Sequence, residues 1–257
     1  MEGQERLKEQ LLQWRLNKSI PRFILIEGDE GSGRLTFAKL IMKQLNGIGV
    51  IVGNSIAEVR EVIDNAYNVS ETTFYIFRDC DDMSVAAKNS LLKVVEEPPN
   101  KAYFIMTIRN SANMLDTIKS RATQIKMDPY TENTLKNRSK SKVKLKYIHN
   151  IGLMEKYEDA EITKAERVVN KVIEGLKNKS GTNVLSACTE LKEKETDEKV
   201  DCSLFMLVLV GNLDSSFATP SMLTHILEAR TQMQKSSINK KACIETALVK
   251  IVKELKG

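Results

Sequence analysis

"RFILIEGDEGSGRLTFAKLIMKQL", Arg22–Leu45, decides the fold class. A short apolar run ends in glycine, which suits a buried parallel strand. A glycine-rich turn follows, and "LTFAKLIMKQL" then carries apolar residues at helical spacing. A glycine loop between a strand and a helix is the setting of a phosphate-binding loop. Such a loop works because backbone N–H groups and a helix N-terminus surround the phosphates. Its pattern, G-x-x-x-x-G-K-[ST], adds a lysine for charge and a hydroxyl for a magnesium ion. Gly28, Gly31 and Gly33 supply the glycines. Arg34 stands in the lysine place, where it keeps the charge on a broader, planar group that is not equivalent. Leu35 stands in the hydroxyl place and cannot ligate a metal. Thr36 comes one place late, about 100° around the helix axis.

Outward from this loop, strand and helix patterns alternate. "GVIVG", "TTFYIFRDC", "AYFIMTI" and "TQIKM" read as further strands. Between them, "SIAEVREVIDNAYN" reads as a helix with Ile56, Val59, Ile63 and Ala66 on one face, and "SVAAKNSLLKVVEE" as a helix stopped by Pro98 and Pro99. The opening residues place Leu7, Leu11, Trp14 and Leu16 near helical spacing. This alternation predicts a parallel sheet covered by helices on both faces. After Pro129 the strand runs stop and helical patterns continue to the end, punctuated by Gly152, Gly175 and Gly181, with "NKSG" a turn and "KEKETDEK" (Lys192–Lys199) a charged helix or loop. The expected division is an α/β domain at 1–129, a small helical domain at 130–164 and a helical domain at 165–257.

The 257 residues suffice for a buried core, and 42% hydrophobic with 28% charged residues suits a globular chain. The net charge of +5 permits an anionic partner without demanding one. The four cysteines have no zinc spacing and suggest no disulfide framework, so no metal is expected and a reducing cytoplasm is the expected compartment. The longest apolar run, "LFMLVLVG", is too short for a bilayer and reads as a buried helix. Membrane association is therefore not expected.

The second half of a nucleotide site lies where an apolar strand ends. A carboxylate there holds the magnesium ion. Here "FYIF" runs into Arg78 and then Asp79. A cation in the metal-ligand place is electrostatically unfavourable. With lysine, hydroxyl and carboxylate all altered, hydrolysis by this chain is not expected, and no cofactor is required. The backbone cradle of Gly28, Gly31, Gly33 and Arg34 leaves weak ATP or ADP binding open, with Arg78 and Asp79 as the altered metal side.

"CDDMSVAAKNSLLKVVEEPPNKAYFIMTI" resembles the AAA+ clamp-loader subunits of replicative DNA polymerases. Asp81, Met83, Ser84, Ala87, Asn89, Leu91, Leu92, Lys93, Glu96, Glu97, Pro98 and Pro99 match the family's motif. "IKSRATQIKM" is similar to its S-R-C motif, with Ser120 and Arg121 kept and Ala122 in the cysteine place. Within the family the chain most resembles the bacterial delta-prime subunit of DNA polymerase III, although the zinc module many of these carry is absent. "ILEARTQMQKSSINKKACIETALVKI" is similar to the collar pattern. The likeness is weak between about 130 and 215. It implies an AAA+ domain followed by a small helical lid and a helical collar, with Ala242, Ile244, Ala247, Leu248, Ile251 and Leu255 on the collar face.

The resemblance also implies a mechanism. Clamp-loader subunits form a hetero-oligomeric pentamer with ATP sites between neighbours, and the S-R-C arginine of one subunit reaches the site of the next. Arg121 would then act as an arginine finger in trans, and Ser120 would cap the start of its helix. The partners implied are other clamp-loader subunits and, through the complex, the sliding clamp and primer–template DNA. The sensor 1 place falls on Arg109. Arg78 and Arg109 would pair with Asp79 or other acids in the emptied site. Glu96 and Glu97 would be structural. Lys140, Lys142, Lys144 and Lys146 alternate in sequence and read as a solvated face or protected edge rather than a phosphate strip. His149 and His225 have no acid or cysteine nearby in sequence and read as structural. Two rival functions are a self-sufficient AAA+ ATPase with atypical motifs and a nucleic-acid-binding module outside the clamp loader.

Overall fold

The computed structural model describes residues 2–192, 198–213, 217–233 and 238–256. Most of the "KEKETDEK" segment, residues 193–197, lies outside the described residues. Two compact units result, one of Met1–Arg138 with His149–Leu153, the other of Ser139–Ile148 with Met154–Gly257. Residues 130–164 are thus shared between the two.

In the first unit, α1 (Glu5–Leu16) precedes β1 (Phe23–Glu27), α2 (Arg34–Gln44), β2 (Ile48–Val52), α3 (Ile56–Ala66), β3 (Thr73–Phe77), α4 (Val85–Glu96), β4 (Ala102–Ile108), α5 (Asp116–Lys119), β5 (Thr123–Lys126) and α6 (Glu132–Arg138). Short 3-10 turns at Cys80–Asp82 and Ser111–Asn113 follow β3 and β4. The five strands form one parallel sheet in the order β2-β3-β4-β1-β5. Successive side chains on a strand point to opposite faces. Phe23, Leu25, Tyr75, Phe77, Phe104 and Met106 therefore build one core with α3 and α4, and Ile24, Ile26, Phe74, Ile76 and Ile105 a second with α1 and α2. Strands buried on both faces must be apolar throughout, which is why β1, β3 and β4 read as unbroken runs. β2 reads the same way but lies at the sheet edge, where Ile48, Val50 and Ile51 stay exposed.

The helices start where capping residues permit. Ser55 and Glu58 form a reciprocal capping box on α3, and the Ser84 hydroxyl accepts from Ala87 N at the head of α4. The buried face of α3 is Val59, Val62 and Ala66, with the expected Ile56 and Ile63 partly buried against the same core. In α1, Leu7 and Leu11 are buried while Leu16 is exposed. The fully buried Gln4 side chain donates to Asp128 O (2.7 Å) and accepts from Asp128 N (2.9 Å), tying the start of the chain to the end of β5.

The second unit is helical. It contains α7 (Lys142–Tyr147), α9 (Asp159–Lys177), α10 (Gly181–Cys188), α11 (Cys202–Asn212), α12 (Pro220–Met233) and α13 (Lys240–Lys256), while α8 (Ile151–Lys156) begins among the residues assigned to the first. α9 buries Ile162, Val168, Val169 and Val172, and α11 buries Leu204, Phe205, Val208 and Leu209. The buried face of α13 is Ile244, Ala247, Leu248, Ile251 and Val252 rather than one that includes Ala242 and Leu255. Of the three glycines expected to punctuate this region, Gly152 and Gly181 lie in the first turns of α8 and α10. Gly175 is inside α9, where a Cβ would lie 2.9 Å from Val184 Cγ2, so it permits a close helix approach instead.

Candidate functional site

The loop after β1 is shaped by its own backbone. Gly31 and Gly33 adopt φ of 81° and 93°, a region that favours glycine. Gly28 N donates to Ile108 O (3.1 Å) and Ser32 N to Asp29 O (3.1 Å). Other residues hold the loop from outside. The Tyr130 hydroxyl donates to Ser32 O (3.1 Å). Asn150 Nδ2 donates to Glu30 O (2.9 Å), and Gly152 N to Gly31 O (3.1 Å). Asn150 is itself fixed by Leu153 N, which donates to its Oδ1 (2.8 Å). Gly152 lies so close that a Cβ there would sit 2.5 Å from Gly31 Cα. This segment lies 120 residues from the loop, and in sequence only Gly152 marks it, as a break between helical patterns.

Arg34 is the first residue of α2 and only 9% exposed. Its Nη2 donates to Asp79 Oδ1 at 2.9 Å. The cation in the phosphate-facing place is thus bonded to Asp79, the carboxylate next to Arg78 in the metal-ligand place. Such an ion pair is stronger in a poorly solvated site than in water. Asp79 follows β3 with φ of 49°, a left-handed conformation that aspartate tolerates. Its N–H donates to Thr107 Oγ1 (3.1 Å), and Asn54 Nδ2 donates to Arg78 O (2.8 Å) and Asp79 O (3.2 Å). Thr107 and Asn54 therefore pin the backbone that carries the Asp79 carboxylate, a role their sequence positions did not reveal. Ser32 Oγ and Arg34 Nη1 are buried without a hydrogen-bond partner. Leu35 offers no oxygen beside them and packs against the core of α1 and α2. The arrangement does not fit a magnesium ion held as in an ATPase.

Arg78 is exposed, and its expected pairing with Asp79 is replaced by that of Arg34. Arg109 does find acids, with Nη2 at 2.9 Å from Asp82 Oδ2 and Nε at 3.6 Å from Asp81 Oδ2. Asp81 also accepts from Arg109 N (2.7 Å) and Asn110 N (3.1 Å), so the motif aspartate fixes the turn after β4. Buried Lys88 reaches Asn113 O (2.8 Å) and Asp81 O (3.3 Å) and joins the same two turns. The sensor 1 place is filled by a structural network.

Arg121 follows α5. Its Nη1 donates to Thr117 O (2.9 Å), and its Nη2 lies 2.5 Å from Glu96 Oε1. Ser120 stands at the C-terminal cap of α5, not at a helix start, and its hydroxyl donates to Thr117 O (3.2 Å). The expected N-capping role is corrected, because the residues after Ser120 enter β5.

The lysines from 142 to 146 lie on a helix rather than an extended edge, so alternate positions point to different sides. Lys144 Nζ donates to Met154 O (2.9 Å) and Lys146 Nζ pairs with Glu166 (3.3 Å), which leaves no common strip. His225 is not isolated, since Nε2 lies 2.8 Å from Glu254 Oε1 across α12 and α13. Among the described residues no group of three or more His, Cys, Asp or Glu side chains could hold a metal ion. None of their helices is long and apolar enough to cross a membrane.

Comparison with known proteins finds relatives among DNA polymerase III subunits. The family model described as "DNA polymerase III, delta subunit" matches residues 48–131. DNA polymerase III subunit gamma of Buchnera aphidicola subsp. Schizaphis graminum is 28% identical over 144 residues, covering 44% of this chain and 40% of that protein. DNA polymerase III subunit tau of Bacillus subtilis is 24% identical over 195 residues, covering 64% and 32%. DNA polymerase III subunit delta' of Yersinia pestis is 35% identical over 66 residues, covering 24% and 19%. The chain thus spans less than half the length of each of these three relatives. A gamma subunit-related protein of Thermotoga maritima shares the fold, with a TM-score of 0.53 at 16% identity over 96% of this chain and 99% of that one. The parallel sheet with its strand–loop–helix at β1 is an AAA+ fold, and these matches make the chain similar to clamp-loader subunits of DNA polymerase III.

Proposed function

We propose that this chain is a delta-prime-like scaffold subunit of a DNA polymerase III clamp loader. It holds no catalytic nucleotide and donates Arg121 to the ATP site of a neighbouring subunit. Its partners are other clamp-loader subunits in a hetero-oligomer and, through them, the sliding clamp and primer–template DNA.

The observation that carries this reading is an asymmetry within the first unit. Arg34 and Asp79, in the places that should serve nucleotide, are bonded to each other. Arg121 is 36% exposed at its side chain, just after the short helix between β4 and β5. An arginine presented to a neighbour's phosphoryl group stabilises the charge that develops there. The loop is held in shape by Tyr130, Asn150 and Gly152, so it needs no ligand to stay folded. The Yersinia pestis delta' match over 66 residues supports the delta-prime reading, beside longer gamma and tau matches over 144 and 195 residues.

The test is ATP turnover by the reconstituted complex with wild-type chain and with Arg121→Ala, beside the isolated chain. The isolated chain is expected to be silent. The substitution is expected to lower turnover at least roughly tenfold, since fingers in other NTPases are worth more than that. Turnover by the isolated chain, with Arg121→Ala harmless in the complex, would refute the proposal and favour a self-sufficient ATPase.

A further inference from the structure

Arg121 is held in its own chain by two elements. Glu96, the last residue of α4, places Oε1 2.5 Å from Nη2. The last turn of α5 contributes Thr117 O at 2.9 Å and Ser120 Oγ at 3.4 Å from Nη1. Contacts on both terminal nitrogens fix the plane of the guanidinium as well as its position. Both side chains face solvent, at 36% and 49% exposure, so the group is displayed rather than stored.

Glu96 is itself anchored. Pro98 and Pro99 end the helix just beyond it, and prolines restrict the backbone on either side. Pro99 O accepts from Arg22 Nη1 (2.8 Å) and from Ala102 N (3.1 Å), which ties the chain after Glu96 to the sheet. The Glu-Glu-Pro-Pro stretch thus begins with Glu96 on a backbone held at both ends, by α4 before it and by Pro99 after it.

We propose that Glu96 is a positioning residue that orients Arg121 for the neighbouring subunit. The inference rests on the finger reading above. A long, rotamer-rich side chain that arrives oriented loses less freedom when it meets its target. The pair can yield at that moment, because an exposed ion pair is weak and a polyphosphate is the stronger acceptor for a planar guanidinium.

The experiment compares wild type, Glu96→Ala, Glu96→Gln, Arg121→Ala and the Glu96→Ala/Arg121→Ala double variant, each in the reconstituted complex, reading kcat and KM for ATP separately. A parallel measurement follows the order of the Arg121 Nε–H by NMR in the isolated chain. The expected result is a fall in kcat of about three- to tenfold for Glu96→Ala with KM unchanged. Glu96→Gln keeps Oε1 and recovers most of the loss. Glu96→Ala adds nothing once Arg121 is gone, and Arg121 loses order when Glu96 is removed. A rise in kcat for Glu96→Ala would make the pair a latch and overturn the inference. So would an unchanged kcat, an equal loss in the Arg121→Ala background, or an Arg121 side chain whose order ignores Glu96. Harm from Arg121→Ala with none from Glu96→Ala refutes only this inference, whereas a harmless Arg121→Ala refutes the finger reading beneath it.

Discussion

Gly152→Ala is the sharpest test of how the phosphate loop is held. On helix propensity alone the change is favourable, because alanine inside a helix gains up to about 1 kcal/mol over glycine. The contact opposes it. The added methyl would lie 2.5 Å from Gly31 Cα and 2.6 Å from Gly31 O. Carbon contacts prefer about 3.5–4.0 Å. Both atoms are backbone, in a loop fixed between β1 and α2, so neither can turn aside. Forcing a methyl into such a contact costs about 1–3 kcal/mol. If the segment lifts instead, it loses the bonds from Gly152 N to Gly31 O and from Asn150 Nδ2 to Glu30 O, each worth about 1 kcal/mol. Either route leaves a net penalty of about 1–2 kcal/mol after the propensity gain.

The assay is hydrogen exchange at the Gly152 amide together with urea unfolding. At about 1.4 kcal/mol per factor of ten, protection of that amide should fall roughly five- to thirtyfold. Gly181→Ala is the control. Gly181 is also at normal φ in a helix, but its nearest neighbour to a new Cβ is Val252 Cγ1 at 3.7 Å, an ordinary contact. That variant should be neutral or more stable by up to about 1 kcal/mol. If Gly152→Ala behaves like Gly181→Ala in both measurements, the docking of residues 149–153 on the loop is wrong.

Asp79→Ala should destabilise more than Arg34→Met, by about 1–3 kcal/mol in chemical melts, because it strands a buried guanidinium while the methionine leaves a 41% exposed carboxylate that water can reach; a double-mutant cycle with no coupling would sink the pairing. Glu254 is held below the usual carboxylate range by hydrogen bonds from Ser221 and His225. A depressed folded value means stability present at neutral pH and lost as the pH falls below that range, so wild type and Glu254→Gln should converge in melting temperature towards pH 3, and a constant gap would contradict this. Burial pushes the Cys188 thiol up to about 12 and the Cys202 thiol up to about 11, and raises Cys80 further still. Half-exposed Cys243 should therefore be the one thiol labelled by a disulfide reagent at pH 8 before unfolding, and fast labelling of Cys80 would show that its core is open.

The strands were legible because each is an unbroken apolar run between turn residues, and burial on both faces of a parallel sheet demands such runs. The same signal could not show that β2 is an edge, since an exposed Ile51 and a buried Ile76 look alike in sequence. Helical spacing located α3 but left its buried face uncertain by one position, because Val62 and Ile63 are both apolar. The loop and the altered carboxylate were legible as departures from a known pattern. What replaced the lost chemistry was not, because each replacement joins residues far apart in the chain. Arg34 meets Asp79 across 45 residues and Asn150 meets Glu30 across 120. The pairing of His225 with Glu254, 29 residues away on the next helix, escaped for the same reason.

The departures at Arg34, Leu35 and the residues after β3 are physically connected. A lysine at position 34 would carry a compact, strongly hydrated charge with no planar fork to hold a carboxylate. Arginine can bond Asp79 through one nitrogen while its stem stays buried beside the loop. That bond offsets the charge of Asp79 and weakens its pull on a divalent cation, so a hydroxyl at position 35 would have less of a metal to serve. Leucine there packs against the core of α1 and α2 instead. Once the ligand no longer orders the loop, something else must, and the carbonyls of Glu30, Gly31 and Ser32 are taken up by Asn150, Gly152 and Tyr130. Each change removes the reason to keep the next ATPase residue. The AAA+ shape then persists for what it positions, which on the proposed reading is Arg121.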